Sequence, residues 1–300
     1  MYFISVCVTI CVLRTVATGA RAEDTVNYGT NFMPSCDNKI FCESELLHDV
    51  ALSLVDAEMN STFLRKKMLF PELVILEKYG ILKESNGGKP LPLAELIHFI
   101  EENFEDVQEL EEWVPPDFKQ RTALMDRVVD MSYRQFLEKL HQIWKILFRK
   151  VNPDVAMNGD RYSLIYVPNG FCIAGGHFNE LYYWDTYWII NGLLLSDMSE
   201  TVKGILENFL HLVRIIGFIP NGTRVFYLNR SQPPLLIRMV ESYLQKTDDF
   251  FFVRLNLPLL TQEFEWWRTN REVKFVKDDK TYVMFRYNVQ SRGPRPESYL

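Results

Sequence analysis

The chain has 300 residues, 47% hydrophobic and 24% charged, with a formal net charge of -6. That size and balance describe a globular protein of one large or two modest domains and exclude a disordered or fibrous chain. Both charge signs are spread along the sequence, which excludes the basic patch that a nucleic-acid binder would present.

Residues 1–13 form an apolar run, followed by small residues at Ala17, Gly19, Ala20 and Ala22. The run is short for a bilayer span and no basic segment precedes it. It reads as a secretory signal peptide over 1–22, with an uncleaved anchor as the alternative. Residues 23–300 are then the mature part, and a secreted or cell-surface protein is expected, with no membrane anchor encoded elsewhere in the chain. Cleavage would leave Cys36, Cys42 and Cys172. Cys36 and Cys42 are close enough in sequence to staple a short loop in an oxidising compartment, though their pairing stays open, and Cys172 reads as a buried free thiol between Phe171 and Ile173. Three cysteines without an HExxH or paired CxxC motif do not suggest a metal site. Of the sequons at Asn60, Asn221 and Asn229, only Asn60 is expected to carry glycan.

Helical periodicity dominates the rest of the chain. Leu46, Leu47, Val50, Ala51, Leu54 and Val55 form one stripe. Leu93, Leu96, Ile97 and Ile100 form another after the prolines at 90 and 92. Ser132 and Gln135 suggest a capping box ahead of Phe136, Leu137, Leu140, Ile143, Trp144, Leu147 and Phe148. A further helix carries Val202, Ile205, Leu206, Phe209, Leu210 and Val213, with Gly217 placed to end it. Leu235, Leu236, Met239, Val240 and Tyr243 make the next, entered through Pro233 and Pro234. The last starts near Asp249 and runs through Trp266 and Trp267, bent or interrupted at Pro258. Residues 273–287 have β character, with Asp278 and Asp279 as a hairpin turn. Periodicity alone supports an all-α protein of antiparallel helices.

Between the helices lies the stretch from Gly175 to Trp188. Two glycines permit a sharp turn or close backbone approach. A dense aromatic cluster follows, with Glu180 and Asp185 inside it. Flat aromatic faces beside charged hydrogen-bonding groups suit a sugar, although such a run also suits a core. The stretch resembles the first signature of the trehalase family, Pro-Gly-Gly-Arg-Phe-x-Glu-x-Tyr-x-Trp-Asp-x-Tyr, with Ala174 in place of the proline and His177 in place of the arginine. The blocks at 217–222, 227–234 and 293–298 resemble the same family in the same order. The resemblance covers residues 34 to 300.

The resemblance implies an (α/α)6 barrel, here truncated, and hydrolysis of α,α-trehalose to two glucose molecules with inversion. No cofactor and no metal are implied; the partner is the disaccharide. It implies that Trp184 stacks on or walls a sugar ring, that Asp185 accepts from hydroxyls, and that Asn221 binds them through its amide. Arg230 would present a donor fork, with Ser231 and Gln232 beside it. Arg295 and Glu297 would close the set, with Pro296 fixing the backbone between them. His177 is shorter than the arginine expected there and offers fewer donors, which implies weaker substrate binding. The resemblance also implies that the general acid and general base lie beyond Leu300, so no catalytic residue is expected within this chain. An incomplete ring of helices would leave apolar faces uncovered. Three other readings remain: a catalytically dead protein that binds sugar or a protein partner, a structural helical protein whose aromatics are core, and a related toroidal glycosidase with another disaccharide.

Overall fold

The structure is a computed structural model that describes residues 36, 38–53, 62–230, 232–287, 289 and 295–297. The signal-peptide segment, Leu54, Val55, Asn60 and Ser231 lie outside the described residues. The fold is mostly helical with a few short strands, in line with the all-α expectation. Two hydrophobic clusters organise it.

The smaller cluster is built from the first elements. Helix α1 (Lys39–Cys42) starts at Asn38, whose side chain accepts from the Phe41 N–H. Cys36 and Cys42 are joined by a disulfide across it, with Cα atoms 6.0 Å apart. Helices α2 (Glu45–Ser53), α3 (Glu72–Ser85) and α4 (Leu93–Asn103) follow. The two-residue strands β1 (Lys67–Met68) and β2 (Phe104–Glu105) pair antiparallel between them. Leu46, Leu47, Val50 and Ala51 are buried, as their spacing predicts. In α4 the buried face is Leu96, Phe99 and Ile100, whereas Leu93 is exposed because it begins the helix directly after its Pro92 cap.

The middle of the chain departs further from expectation. After α5 (Ala123–Arg127) comes α6 (Met131–Leu147), and its cap is Asp130 rather than Ser132. The Asp130 carboxylate accepts from the N–H groups of Ser132 (2.8 Å) and Tyr133 (3.1 Å). A carboxylate at a helix N-terminus satisfies free donors and gains from the helix dipole, which a hydroxyl two residues later does not match. The α6 apolar stripe is largely uncovered: Phe136 is 60% and Ile146 66% exposed, and Leu140 and Ile143 are exposed too. Only its His141 is fully buried, stacked on Phe118 with ring centroids 4.7 Å apart. Strands β3 (Leu110–Glu112), β4 (Phe148–Val151) and β5 (Phe171–Cys172) form a small antiparallel sheet, with α7 (Pro153–Met157) after β4. Cys172 is a buried free thiol, and burial pushes it up to about 12.

The larger cluster is centred on four consecutive helices, α8 (Tyr183–Leu195), α9 (Ser199–Ile216), α10 (Leu236–Thr247) and α11 (Phe250–Arg271), packed on one another. Ile190, Leu193, Val202, Ile205, Leu206, Phe209, Val213, Leu236 and Met239 fill the space between them. Helix α11 is continuous through Pro258, so the missing N–H does not break it. Arg271 leads into the hairpin β6 (Glu272–Lys277) and β7 (Lys280–Phe285), turned by Asp278 and Asp279 at positive φ.

Gly217 ends α9 at φ 98°, where its N–H reaches the Val213 carbonyl at 2.9 Å. A side chain at that φ clashes with the backbone, so Gly217→Ala is expected to lose about 1 kcal/mol in urea unfolding. An unchanged midpoint and slope would mean the chain leaves the helix some other way.

Candidate active site

The site rests on extended backbone. Residues 221–225 run between 163–165 and 181–183. The Tyr183 N–H donates to the Asn221 carbonyl (2.9 Å) and that of Thr223 to Leu181 (3.1 Å). On the other side Ile165 donates to Thr223 (2.9 Å) and Val225 to Ser163 (2.9 Å). Gly222 makes this approach possible: a Cβ there would stand 2.9 Å from the Tyr182 ring and 3.0 Å from Tyr227. The result is to hold Asn221 against the start of α8, whose first turn carries Trp184 and Asp185. Trp184 is exposed and Asp185 half-buried. Burial pushes the Asp185 carboxyl above its ordinary range, opposed by a hydrogen bond from its own backbone.

The charged groups lie alongside. Arg230 grips Glu297 with both arms of its guanidinium, Nη1 to Oε1 at 2.7 Å and Nη2 to Oε2 at 2.9 Å. This two-armed geometry is the strong form of the pair. The same guanidinium lies 5.7 Å from the Tyr227 ring centre. Tyr227 Oη is 3.1 Å from Tyr182 Oη, and the Tyr182 hydroxyl donates to Glu180 at 2.7 Å. Burial, followed for Tyr182 by the Glu180 charge, pushes both phenols upward, so they stay protonated. The two tyrosines thus join the Trp184–Asp185–Asn221 group to the Arg230–Glu297 pair. Gln232 Oε1 is buried and has no hydrogen-bond partner among the described residues. Pro296 is buried and Arg295 exposed. His177 is exposed at the tip of a tight turn in which Gly175 and Phe178 exchange backbone hydrogen bonds, with Gly176 at φ 61°.

Beneath this surface is an ion cluster that pattern reading did not find. Arg224 is 2% exposed and donates to both oxygens of Glu109 (2.9 and 2.7 Å), to Glu180 (3.0 Å) and to Ser163 Oγ (2.8 Å). Burial opposes its charge, but Glu109 and Glu180 outweigh that and hold it above its ordinary value. Apart from this cluster, the buried acid Glu263 accepts from Tyr183 Oη (2.6 Å) and Trp267 Nε1 (2.7 Å). The Tyr183 oxygen in turn accepts from the Leu236 N–H at 3.0 Å. The available signal for Glu263 was its helical register between Leu260 and Trp267, where a core residue belongs.

Two open clefts of about 420 Å³ each lie elsewhere, one lined by Gln120, Gln135 and Glu138, the other by Lys203, His211 and Phe251, and neither includes a residue of the expected sugar site. Among the described residues no group of His, Cys, Asp and Glu is arranged to hold a metal ion, and no helix is long and apolar enough to cross a membrane.

Comparison with known proteins agrees with the signature blocks. The family model described as Trehalase matches residues 57–300. A trehalase of Tenebrio molitor is 44% identical over 281 residues, covering 93% of this chain and 50% of that protein. The human trehalase is 38% identical over 291 residues, covering 97% of this chain and 48% of that protein. Among solved structures, the neutral trehalase of Saccharomyces cerevisiae overlaps 43% of this chain and 24% of its own, at 28% identity and a TM-score of 0.37. The chain spans about half the length of the curated relatives it matches. With the family model matched over most of its length, the chain belongs to the trehalase family.

Proposed function

We propose that the protein hydrolyses α,α-trehalose to two glucose molecules, and that the residues of this site hold the sugar. The observation that carries this reading is the Arg230–Glu297 clamp at the Tyr227 ring, joined through Tyr182 and Gly222 to the helix start bearing Trp184 and Asp185. A donor fork, two carboxylates, an amide and an indole face combine polar groups with flat apolar surface, which is what a pyranose ring and its hydroxyls require. The buried Gln232 oxygen, which has no partner among the described residues, supports the same reading, because a ligand hydroxyl would satisfy it.

In this reading Asp185 and Glu297 bind and do not perform the chemistry. Both Glu297 oxygens are already engaged by Arg230. Inversion uses a different pair, an acid and a base roughly 6.5–9.5 Å apart with water between. That chemistry calls for no metal or organic cofactor. Helices α8–α11 are read as part of the family's (α/α)6 ring. We also place the protein outside the cell: the Cys36–Cys42 bond supports an oxidising compartment.

The test is calorimetry of the 300-residue chain with trehalose, alongside an assay of glucose release. Trehalose should bind, and Trp184→Ala or Arg230→Gln should each weaken binding about tenfold or more. Absence of binding by the wild-type chain would sink the proposal. Binding without glucose release would favour a sugar-binding protein over hydrolysis by this chain.

A further inference from the structure

Arg65 is a cation that no motif or periodicity in the sequence singles out. Phe63 and Leu64 are buried in the smaller cluster, and the Leu64 carbonyl accepts from Ser163 Oγ, the same hydroxyl that Arg224 holds. The backbone beside Arg65 is therefore fixed to the ion cluster beneath the site. Its guanidinium reaches across to the Gly175–Phe178 turn, with Nη2 3.4 Å from the His177 carbonyl and Nε 3.8 Å from Glu180 Oε1. Glu109 and Glu180 share one buried cation, Arg224, and Arg65 supplies a second positive charge; burial raises the Glu109 carboxyl, Arg224 opposes this most, and Arg65 adds a smaller pull in the same direction. Yet the side chain is 38% exposed. A guanidinium carries five N–H donors in a rigid fork, and these two contacts engage only one edge of it.

We propose that Arg65 is a sugar-binding residue, presenting its outward donors to a disaccharide hydroxyl beside the 175–178 turn. The residue lies on the wall that continues through Glu180, Tyr182 and Tyr227 to Arg230. His177, at the tip of that turn, offers fewer donors than an arginine would. Arg65 delivers the missing fork to the same wall from a segment 112 positions away in sequence. The inference rests on the trehalose-binding reading proposed for this site.

The experiment is calorimetry with trehalose on the full chain, its Arg65→Gln variant, and the double variant Arg65→Gln/His177→Arg. Arg65→Gln should weaken binding about tenfold or more, because a charged donor to a hydroxyl is removed. Its melting temperature without sugar should stay within about 3 °C of wild type, because the Arg65 interactions with His177 and Glu180 are long and partly exposed. Adding His177→Arg should recover most of the binding, a larger gain than the same change makes beside an intact Arg65, where a fork is already present. Such non-additivity is the mark of two groups serving one place. Arg65→Gln binding within twofold of wild type would overturn the inference, as would a loss that tracks melting temperature and is not recovered by His177→Arg. If Trp184→Ala and Arg230→Gln lose trehalose while Arg65→Gln does not, only this inference falls. A wild-type chain that binds no trehalose overturns both.

Discussion

Arg224→Met is expected to lower stability by about 3–5 kcal/mol, read from urea unfolding at neutral pH, because it leaves two buried carboxylates with only the long, partly exposed Arg65 contact as counter-charge. Both are nearly inaccessible, and Arg224 makes four hydrogen bonds to them and to Ser163 between 2.7 and 3.0 Å. Methionine fills similar space but donates nothing. The pH dependence of the loss has a definite sign. Burial already holds the Glu109 carboxyl above its ordinary value against the pull of Arg224, and without Arg224 it rises further above that of the unfolded chain. Stability is then retained at acid pH, where both states are protonated, and is lost as pH rises. The variant should therefore lie closest to wild type near pH 4 and farthest from it above pH 7. Replacing Glu109 and Glu180 by glutamine in the same background should return much of the loss, since the buried charges that cause it are gone. A loss below about 1 kcal/mol, or one independent of pH, would mean that water reaches the cluster and solvates it.

This cluster also explains how the site is shaped. Glu180 accepts from Tyr182 on one side and from Arg224 on the other. Tyr182 sets Tyr227, and Tyr227 lies under Arg230. The Arg224 backbone belongs to the same extended strip that brings Asn221 to α8, through the 164–224 and 182–222 bridges. The core ion cluster and the candidate sugar wall are thus one construction, with the charge buried and the donors facing outward.

How much of this could be read from the sequence depends on the range over which each feature is determined. Local features were legible. The described part of the α2 stripe and the stripes of α9 and α10 are buried, Gly217 ends its helix, and Asp278–Asp279 turns the hairpin. Each depends on residues within a few positions of one another. The cap of α6 is Asp130, whose carboxylate accepts from two free N–H groups and gains from the helix dipole as a neutral hydroxyl does not. The burial of α6 was not legible at all: a 3.6-residue period says a helix has an apolar face but not whether another element covers it. Of the bend or interruption expected at Pro258, the interruption does not occur: α11 runs continuously through it, with Leu260, Trp266 and Trp267 packed on the core beyond. The ion cluster escaped because its partners are 115 and 44 positions apart, and nothing around Thr223-Arg224-Val225 marks an arginine as buried. The expected sugar-site residues were legible only through the family signature, since single polar residues in loops have no period to betray them.

Glu263 should make stability fall as pH rises, and Glu263→Gln should remove that dependence. The carboxyl is fully buried, and burial raises it from 4.5 to about 7 despite hydrogen bonds from Tyr183 and Trp267. Below about pH 4.5 folded and unfolded chains both hold the proton, and the site contributes no pH dependence. Between that point and pH 7 the unfolded chain releases its proton while the folded one keeps it. Folding then binds a proton, and stability declines through this window by roughly 3 kcal/mol in total. Glutamine cannot ionise, and its amide oxygen can still accept from both partners. The difference in unfolding free energy between Glu263→Gln and wild type should therefore be flat below pH 4.5 and move in favour of the variant up to about pH 7. Parallel pH profiles for the two proteins would sink the idea. The consequence reaches the site because the same tyrosine that donates to Glu263 accepts from the first N–H of α10 and opens α8 directly before Trp184 and Asp185. With Glu263 ionised, its desolvated charge strains the joint where α8, α10 and α11 meet. Loosening there should weaken trehalose binding at alkaline pH in the wild type more than in Glu263→Gln, which separates this joint from any titration of Asp185 itself.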